Sequence, residues 1–327
     1  MKGGFLQMSG IVVDFVYRVE RLPAPGEEVE AHAAQLVAGG GFNAMVAARR
    51  LGANVAYGGA LGVGPFAGLA RAALAAEGIP ALQRGRAKID QGVCVVLVDA
   101  SGERSFVTHH GAERAVTAAD LASIPATDYG WILLSGYSLY HPRSAGAFES
   151  WLDALPRGPQ LLFDPGPVVA GIDKSRLARA LARADWVSAN RREAEVLTGR
   201  SDAARAAESL AVGREGALVR DNAAGCWLAR QGGAAEHIAG FAVESIDTTG
   251  AGDTHDGVFI ATSLSGRTPR AAAILANAAA AISVTRVGPA TAPTLPEVVA
   301  FLEMHGVDLT RAEASAGDQS QDTALAR

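Results

Sequence analysis

The segment Asp247-Thr248-Thr249-Gly250-Ala251-Gly252-Asp253-Thr254 concentrates the chain's chemistry and runs directly into the apolar stretch GVFIATSLSG. Gly250, Ala251 and Gly252 carry almost no side chain, so successive backbone N–H groups can converge without obstruction. At a helix N-terminus such a turn is a cradle for an anion, and a phosphoryl group in transit is the anion it suits. Asp253 at the edge of the cradle is placed to take a proton from an attacking hydroxyl. The plainer reading is a glycine-rich loop with Asp253 as a helix cap; the length of the motif favours phosphoryl transfer.

The elements that must hold this segment follow from the apolar pattern. Val55 to Leu61 reads as a strand followed by a helix from Pro65 to Glu77, and Trp131 to Ser135 as a strand before a helix from Ala145 to Leu155. Leu161 to Asp164, Trp186 to Ser188 and Ala217 to Val219 are further short strands at helix-length spacing. The alternation predicts an α/β fold, a mostly parallel sheet covered by helices on both faces. Two stretches break it: Asp14 to Val37, punctuated by Pro23, Pro25 and Gly26, and Gly92 to His109, which reads as a hairpin. They predict a small β-sheet lid, residues 14–37 and 91–109, on a core of residues 1–13, 38–90 and 110–312. Residues 313–327 are polar and are expected to be disordered.

Composition narrows the partners. With 327 residues, 49% hydrophobic and 19% charged, the chain can bury a large core. A net charge of −5 leaves no electrostatic footprint for nucleic acid. No apolar run is long enough for a membrane span and no basic-then-apolar leader is seen, so a cytoplasmic protein without a membrane partner is expected. Cys94 and Cys226 lie in apolar runs without metal-ligand spacing and read as buried free thiols. The three lysines, Lys2, Lys88 and Lys174, do not follow a glycine-rich loop, which excludes a P-loop or protein-kinase site. Gly62-Val63-Gly64-Pro65-Phe66-Ala67 fits a dinucleotide fingerprint, but no acidic residue stands at the needed distance, and a nicotinamide oxidoreductase is the lesser reading.

DTTGAGDT and the stretch AGGGFNAMVAARRLGA at residues 38–53 together resemble the two signatures of the ribokinase-like (phosphofructokinase B) carbohydrate kinases. The resemblance spans Asp14 to about Leu302. It implies a ribokinase-like fold, ATP and Mg²⁺ as cofactors, a sugar-like substrate and a homodimer formed through the lid. It assigns Asp14, Gly39, Gly40 and Asn43 to the sugar, and Asn190 and Glu193 of an N-x-x-E element to phosphate and, indirectly, Mg²⁺. Asn277 falls where the family lines the adenine. Asp247, Thr249 and Gly288 match a monovalent-cation (K⁺) loop. A nucleoside kinase of the same family is the alternative, with Phe15, Tyr17 or Phe42 as a base shelf; a non-catalytic sugar-binding protein is a third reading. No added Arg or Lys stands in the substrate motifs, so a sugar phosphate is the less expected substrate.

The chain departs from the family pattern in several places. The nucleotide loop reads Arg220-Asp221-Asn222-Ala223-Ala224-Gly225 instead of T-x-G-x-x-G. Asn222 is expected to take the positive φ of the missing glycine, and Arg220 to meet phosphate where a threonine is usual. Gly64 replaces a common aspartate. His255 and Asp256 after the catalytic Asp253 are expected to be solvated helix residues, and His109 and His110 exposed groups at the end of the hairpin.

Overall fold

The computed structural model describes residues 3–83, 85 and 88–309; the tail expected to be disordered lies outside them. Strands β1 (Phe5–Gln7), β4 (Val55–Tyr57), β7 (Trp131–Ser135), β8 (Gln160–Asp164), β9 (Trp186–Asn190), β10 (Gly216–Arg220), β11 (Gly225–Arg230) and β12 (Glu236–Ala239) form one sheet. Its order is β12-β11-β10-β9-β8-β7-β1-β4. From β4 to β10 neighbours run parallel, whereas β11 and β12 add antiparallel at one edge. Each parallel strand is apolar because both faces are covered. Five of them end in a polar residue: Gln7, Ser135, Asp164, Asn190 and Arg220. Those residues line the carboxyl edge, where open α/β sheets place their ligands.

Two apolar clusters fill the two faces. On one, helices Gly41–Arg50, Ala251–Leu264 and Pro269–Val284 pack together, and Phe259 meets Trp131 and Trp186 of the sheet. Alanine and glycine let their backbones come close. A Cβ on Gly257 would lie 2.2 Å from the carbonyl oxygen of Ala44. This contact sets the helix that carries Asp253 against the helix that carries Asn43.

The second sheet has four strands in the order β3-β2-β5-β6, with β2 (Ile11–Val19), β3 (Ala31–Gly40), β5 (Val93–Val98) and β6 (Arg104–His109). It is the small sheet expected from the sequence, and its strands β2 and β3 reach a few residues further into the core. Side chains alternate across it. Asp14, Val16 and Arg18 of β2 share a face with Cys94, Val96 and Val98 of β5 and with Thr108, Phe106 and Arg104 of β6. Val16, Cys94, Val96 and Val98 are buried on that face.

Gly257→Ala is expected to lower stability by about 1–3 kcal/mol through overpacking, measured as a fall in the denaturant midpoint. An unchanged midpoint would mean that the two helices do not pack as described.

Candidate active site

Helix Ala251–Leu264 begins at Gly250, whose φ of 74° is one that glycine adopts freely. Ala251 N–H donates to Thr248 O at 3.3 Å, and Thr254 N–H to Gly250 O at 2.8 Å. The first-turn amides of Gly252 and Asp253 have no intrahelical acceptor, and no carbonyl among the described residues takes them. The cradle therefore rests on Gly252 and Asp253 more than on Ala251, which the sequence alone did not separate.

Asp253 faces Asn43, whose Nδ2 donates to its Oδ2 at 2.9 Å. Asn43 Oδ1 in turn accepts from the N–H of Ala290 at 2.9 Å. Burial pushes the Asp253 carboxyl up to about 6, and the Asn43 donor pulls against that rise. Asp14 lies across the cleft, where burial, helped by the charge of Asp253, pushes its carboxyl up to about 7. Gly39 opposes it: a Cβ there would sit 2.0 Å from Asp14 Oδ2. Gly40 turns the chain into the helix, with Gly41 N–H donating to Gly10 O at 2.9 Å. Asp14, Gly39, Gly40, Asn43, Gly250, Gly252 and Asp253 thus lie together. Phe15 and Tyr17 stack on the opposite face of the lid, Phe15 against Phe66, and Phe42 is buried in the core. None of the three offers a shelf beside Asp14.

Asn190 and Glu193 form the anticipated capping box. Asn190 Oδ1 accepts from Glu193 N–H at 2.9 Å, and Glu193 Oε2 accepts from Asn190 N–H at 2.8 Å. Arg220 lies beneath Gly252 and is held by carboxylates: Asp256 at 2.8 Å, Asp164 at 3.3 Å and Glu193 at 3.7 Å. It also donates to Ser188 Oγ at 2.9 Å. Burial pushes Asp164 well above the usual carboxylate range, against the pull of Arg220. Asn222 takes a φ of 51°, the positive value expected of it, and Gly225 one of 102°. Asn277 Nδ2 donates to the carbonyls of Ile238 and Ala239, so its amide nitrogen pins β12.

Two expectations are corrected. His255 and Asp256 are not solvated: they are 3% and 1% exposed. Asp256 is the counter-ion of Arg220, and burial holds the His255 imidazole low and neutral, with the nearest Asp256 oxygen at 3.9 Å. The other concerns the K⁺ loop. Asp247 Oδ1 accepts from Thr249 N–H and Oδ2 from Gly288 N–H, but each oxygen also faces a guanidinium from the lid. Arg104 lies at 3.4 Å and Arg18 at 3.2 Å, and Arg104 donates to the hydroxyls of Thr248 and Thr249 as well. Two guanidinium charges on one carboxylate do not fit a monovalent cation there.

Three further features were not legible in the motifs. Asp90 accepts from the N–H groups of Phe66 and Ala67 at 3.2 and 2.7 Å, taking the helix-start amides that a dinucleotide would need. The lid arginines Arg18 and Arg104 latch onto the segment before the anion cradle. His110 is half-shielded and stands edge-on to His141, 5.0 Å between ring centroids. Among the described residues no group of three or more His, Cys, Asp or Glu is arranged to hold a metal.

A profile described as pfkB family carbohydrate kinase matches residues 7–296. An uncharacterised sugar kinase of Escherichia coli, YegV, is 32% identical over 89% of this chain and 92% of its own length. A ribokinase of Haemophilus influenzae is 31% identical over 90% and 97%, and an ATP-dependent ribose-1-phosphate kinase of Halopiger xanaduensis 31% over 88% and 94%. Ribokinase from Thermotoga maritima shares the fold, with a TM-score of 0.80 at 24% identity over 92% of this chain and 99% of that one. The chain is a phosphotransferase with an alcohol group as acceptor. It belongs to the pfkB family of carbohydrate kinases and uses ATP. Among the described residues no helix is long and apolar enough to cross a membrane.

Removing the Asn43 donor, which favours the charged carboxylate, should move the Asp253 titration midpoint above about 6. Carboxyl ¹³C NMR of Asn43→Ala reads this directly, and a midpoint that stays or falls would show that the hydrogen bond does not tune the carboxylate.

Proposed function

We propose that Asp253 is the general base of this kinase and that a sugar held by Asp14, Gly39, Gly40 and Asn43 is its acceptor. One observation carries the reading: Asp253 lies half-buried in the first turn of a helix whose Gly252 and Asp253 amides have no partner among the described residues. The γ-phosphoryl of ATP fits those amides, because a helix N-terminus favours the charge that phosphoryl transfer spreads over oxygen. Asn43 holds Asp253 Oδ2, which leaves Oδ1 to accept the proton of the attacking hydroxyl. The oxygen–phosphorus bond forms as the bond to the β-phosphate breaks, and ADP departs. Asn190, Asn222 and Gly225 at the carboxyl edge suit the nucleotide. Arg220 supports the turn from below as a fixed positive charge. Mg²⁺ would supply charge neutralisation at the phosphates, and Glu193 and Asp164 at the carboxyl edge are the carboxylates that would help hold it.

The sugar-kinase reading is favoured over a nucleoside kinase because the candidate aromatics face away from Asp14. The relatives' names include a ribokinase and a ribose-1-phosphate kinase, which supports a sugar acceptor. The lid exposes Leu36, Phe106 and Val107, and this apolar surface supports a homodimer through the lid.

Asp253→Asn should lower ATP-dependent turnover at least about a hundredfold while the circular dichroism spectrum is kept. The wild-type rate should fall as pH drops through about 6, where the base becomes protonated. Near-normal turnover in the variant would remove Asp253 from its role.

A further inference from the structure

Asp247 stands where the resemblance to the family puts a monovalent cation, yet its carboxylate is already surrounded by donors. Two carboxylate oxygens offer about four acceptor positions, and each position here is taken. Oδ1 accepts from Thr249 N–H at 2.9 Å and from Arg104 Nη1 at 3.4 Å. Oδ2 accepts from Gly288 N–H at 3.1 Å and from Arg18 Nη2 at 3.2 Å. Arg104 reaches further along the same segment. Its Nη1 donates to Thr249 Oγ1 at 2.6 Å and its Nη2 to Thr248 Oγ1. One guanidinium thus gathers oxygens from Asp247, Thr248 and Thr249, as a hard cation gathers oxygen ligands.

The two arginines approach from separate strands of the lid. Arg18 of β2 pairs with Val98 of β5, and Val98 with Arg104 of β6, so the arginines stand two strands apart, roughly 10 Å. Their side chains close that distance by turning in on one carboxylate. The Asp247 side chain is only 6% exposed, and those of Arg18 and Arg104 are 25% and 26% exposed. Carbonyls beside the loop are engaged as well. Val284 O accepts from Ile246 N–H at 2.7 Å and from Asp247 N–H at 3.1 Å, and Ser283 O from Arg286 N–H at 3.2 Å and the Thr291 hydroxyl at 3.0 Å. A K⁺ ion entering here must displace a charged donor and then sit beside like charge. A guanidinium keeps its charge at every working pH, and because it is tethered it does not depend on the salt outside.

We propose that Arg104 and Arg18 take the place of the monovalent cation at Asp247, so that this kinase works without K⁺. The charge that holds residues 247–249, the lead into the anion cradle, is carried on the protein's own lid. Both arginines are positioning residues, since they touch Asp247 and the two threonines and not the reacting atoms. The inference departs from what the resemblance implies. It rests on the sugar-kinase reading for its activity measurement alone and does not need Asp253 to be the base.

The test compares potassium chloride with tetramethylammonium chloride at equal ionic strength. ATP turnover with ribose as acceptor, and the unfolding midpoint without acceptor, are measured in both salts for wild type, Arg104→Met and the double variant Arg18→Met/Arg104→Met. Wild type should turn over at the same rate in the two salts and show the same midpoint. The variants should be slower in tetramethylammonium and recover at least about fivefold in K⁺, the lower end of ordinary coupling between sites. Their midpoints should rise in K⁺, as binding to the vacated carboxylate stabilises the fold. Activation of wild type by K⁺ overturns the proposal. So do variants that keep the full rate in tetramethylammonium, and variants that lose rate with neither recovery nor a midpoint rise in K⁺, which would make the arginines structural only. If ribose is turned over in neither salt, the ribose reading falls and the midpoints decide: a rise in wild type overturns the proposal, and a rise confined to the variants upholds it. The wild-type measurements need no substitution, so a variant that fails to fold does not shield the proposal.

Discussion

As the proposed base, Asp253 must be ionised to accept a proton, yet it is half-buried at the start of a helix. Burial raises its carboxyl, to about 6 on balance, and a protonated carboxyl cannot act as base. The Asn43 amide works against this by donating to Asp253 Oδ2, and the same side chain accepts from Ala290 N–H. One residue thereby fixes three segments: the glycine turn at 38–43, the anion cradle and the loop after helix Pro269–Val284. The contact exists because the alanine- and glycine-rich helices approach closely enough for a short side chain to span them.

The lid is joined to the same machinery. Arg18 and Arg104 flank Val98 in one row of the small sheet and reach Asp247, Thr248 and Thr249. Burial opposes the charge on Asp247, but its hydrogen bonds from Thr249 and Gly288 and the charge of Arg104 hold its carboxyl low. The latch therefore stays ionic over the working pH range. Because Thr249 directly precedes Gly250, the small sheet is tied by these contacts to the residue next to the helix start.

The fold was legible where a single strand or helix carries its own signal. Trp131–Ser135 was bounded correctly from its apolar run, and the hairpin of β5 and β6 from its alternation and turn. Asp253 and Asn43 could be singled out because their motifs are contiguous and glycine-rich, whereas Asp14 was singled out only by the family resemblance. What was missed depends on partners far apart in sequence. Nothing near Asp256 announces that Arg220, 36 residues earlier, neutralises it inside the core. Asp90 occupies helix-start amides that local reading left open to a dinucleotide, and Asn277 spends its amide on β12. Arg18 and Arg104 lie in lid strands whose register sequence pattern does not fix, so their meeting at Asp247 was invisible.

The central claim is that an anion bound by the Gly252 and Asp253 amides stands beside the Asp253 carboxylate. A crystal structure of the protein with ADP, Mg²⁺ and aluminium fluoride tests it most directly. The account predicts the planar fluoroaluminate within about 3.2 Å of both amides, next to an Asp253 still held by Asn43. A fluoroaluminate bound away from this helix start, or an Asp253 side chain turned out of the cleft, would contradict it.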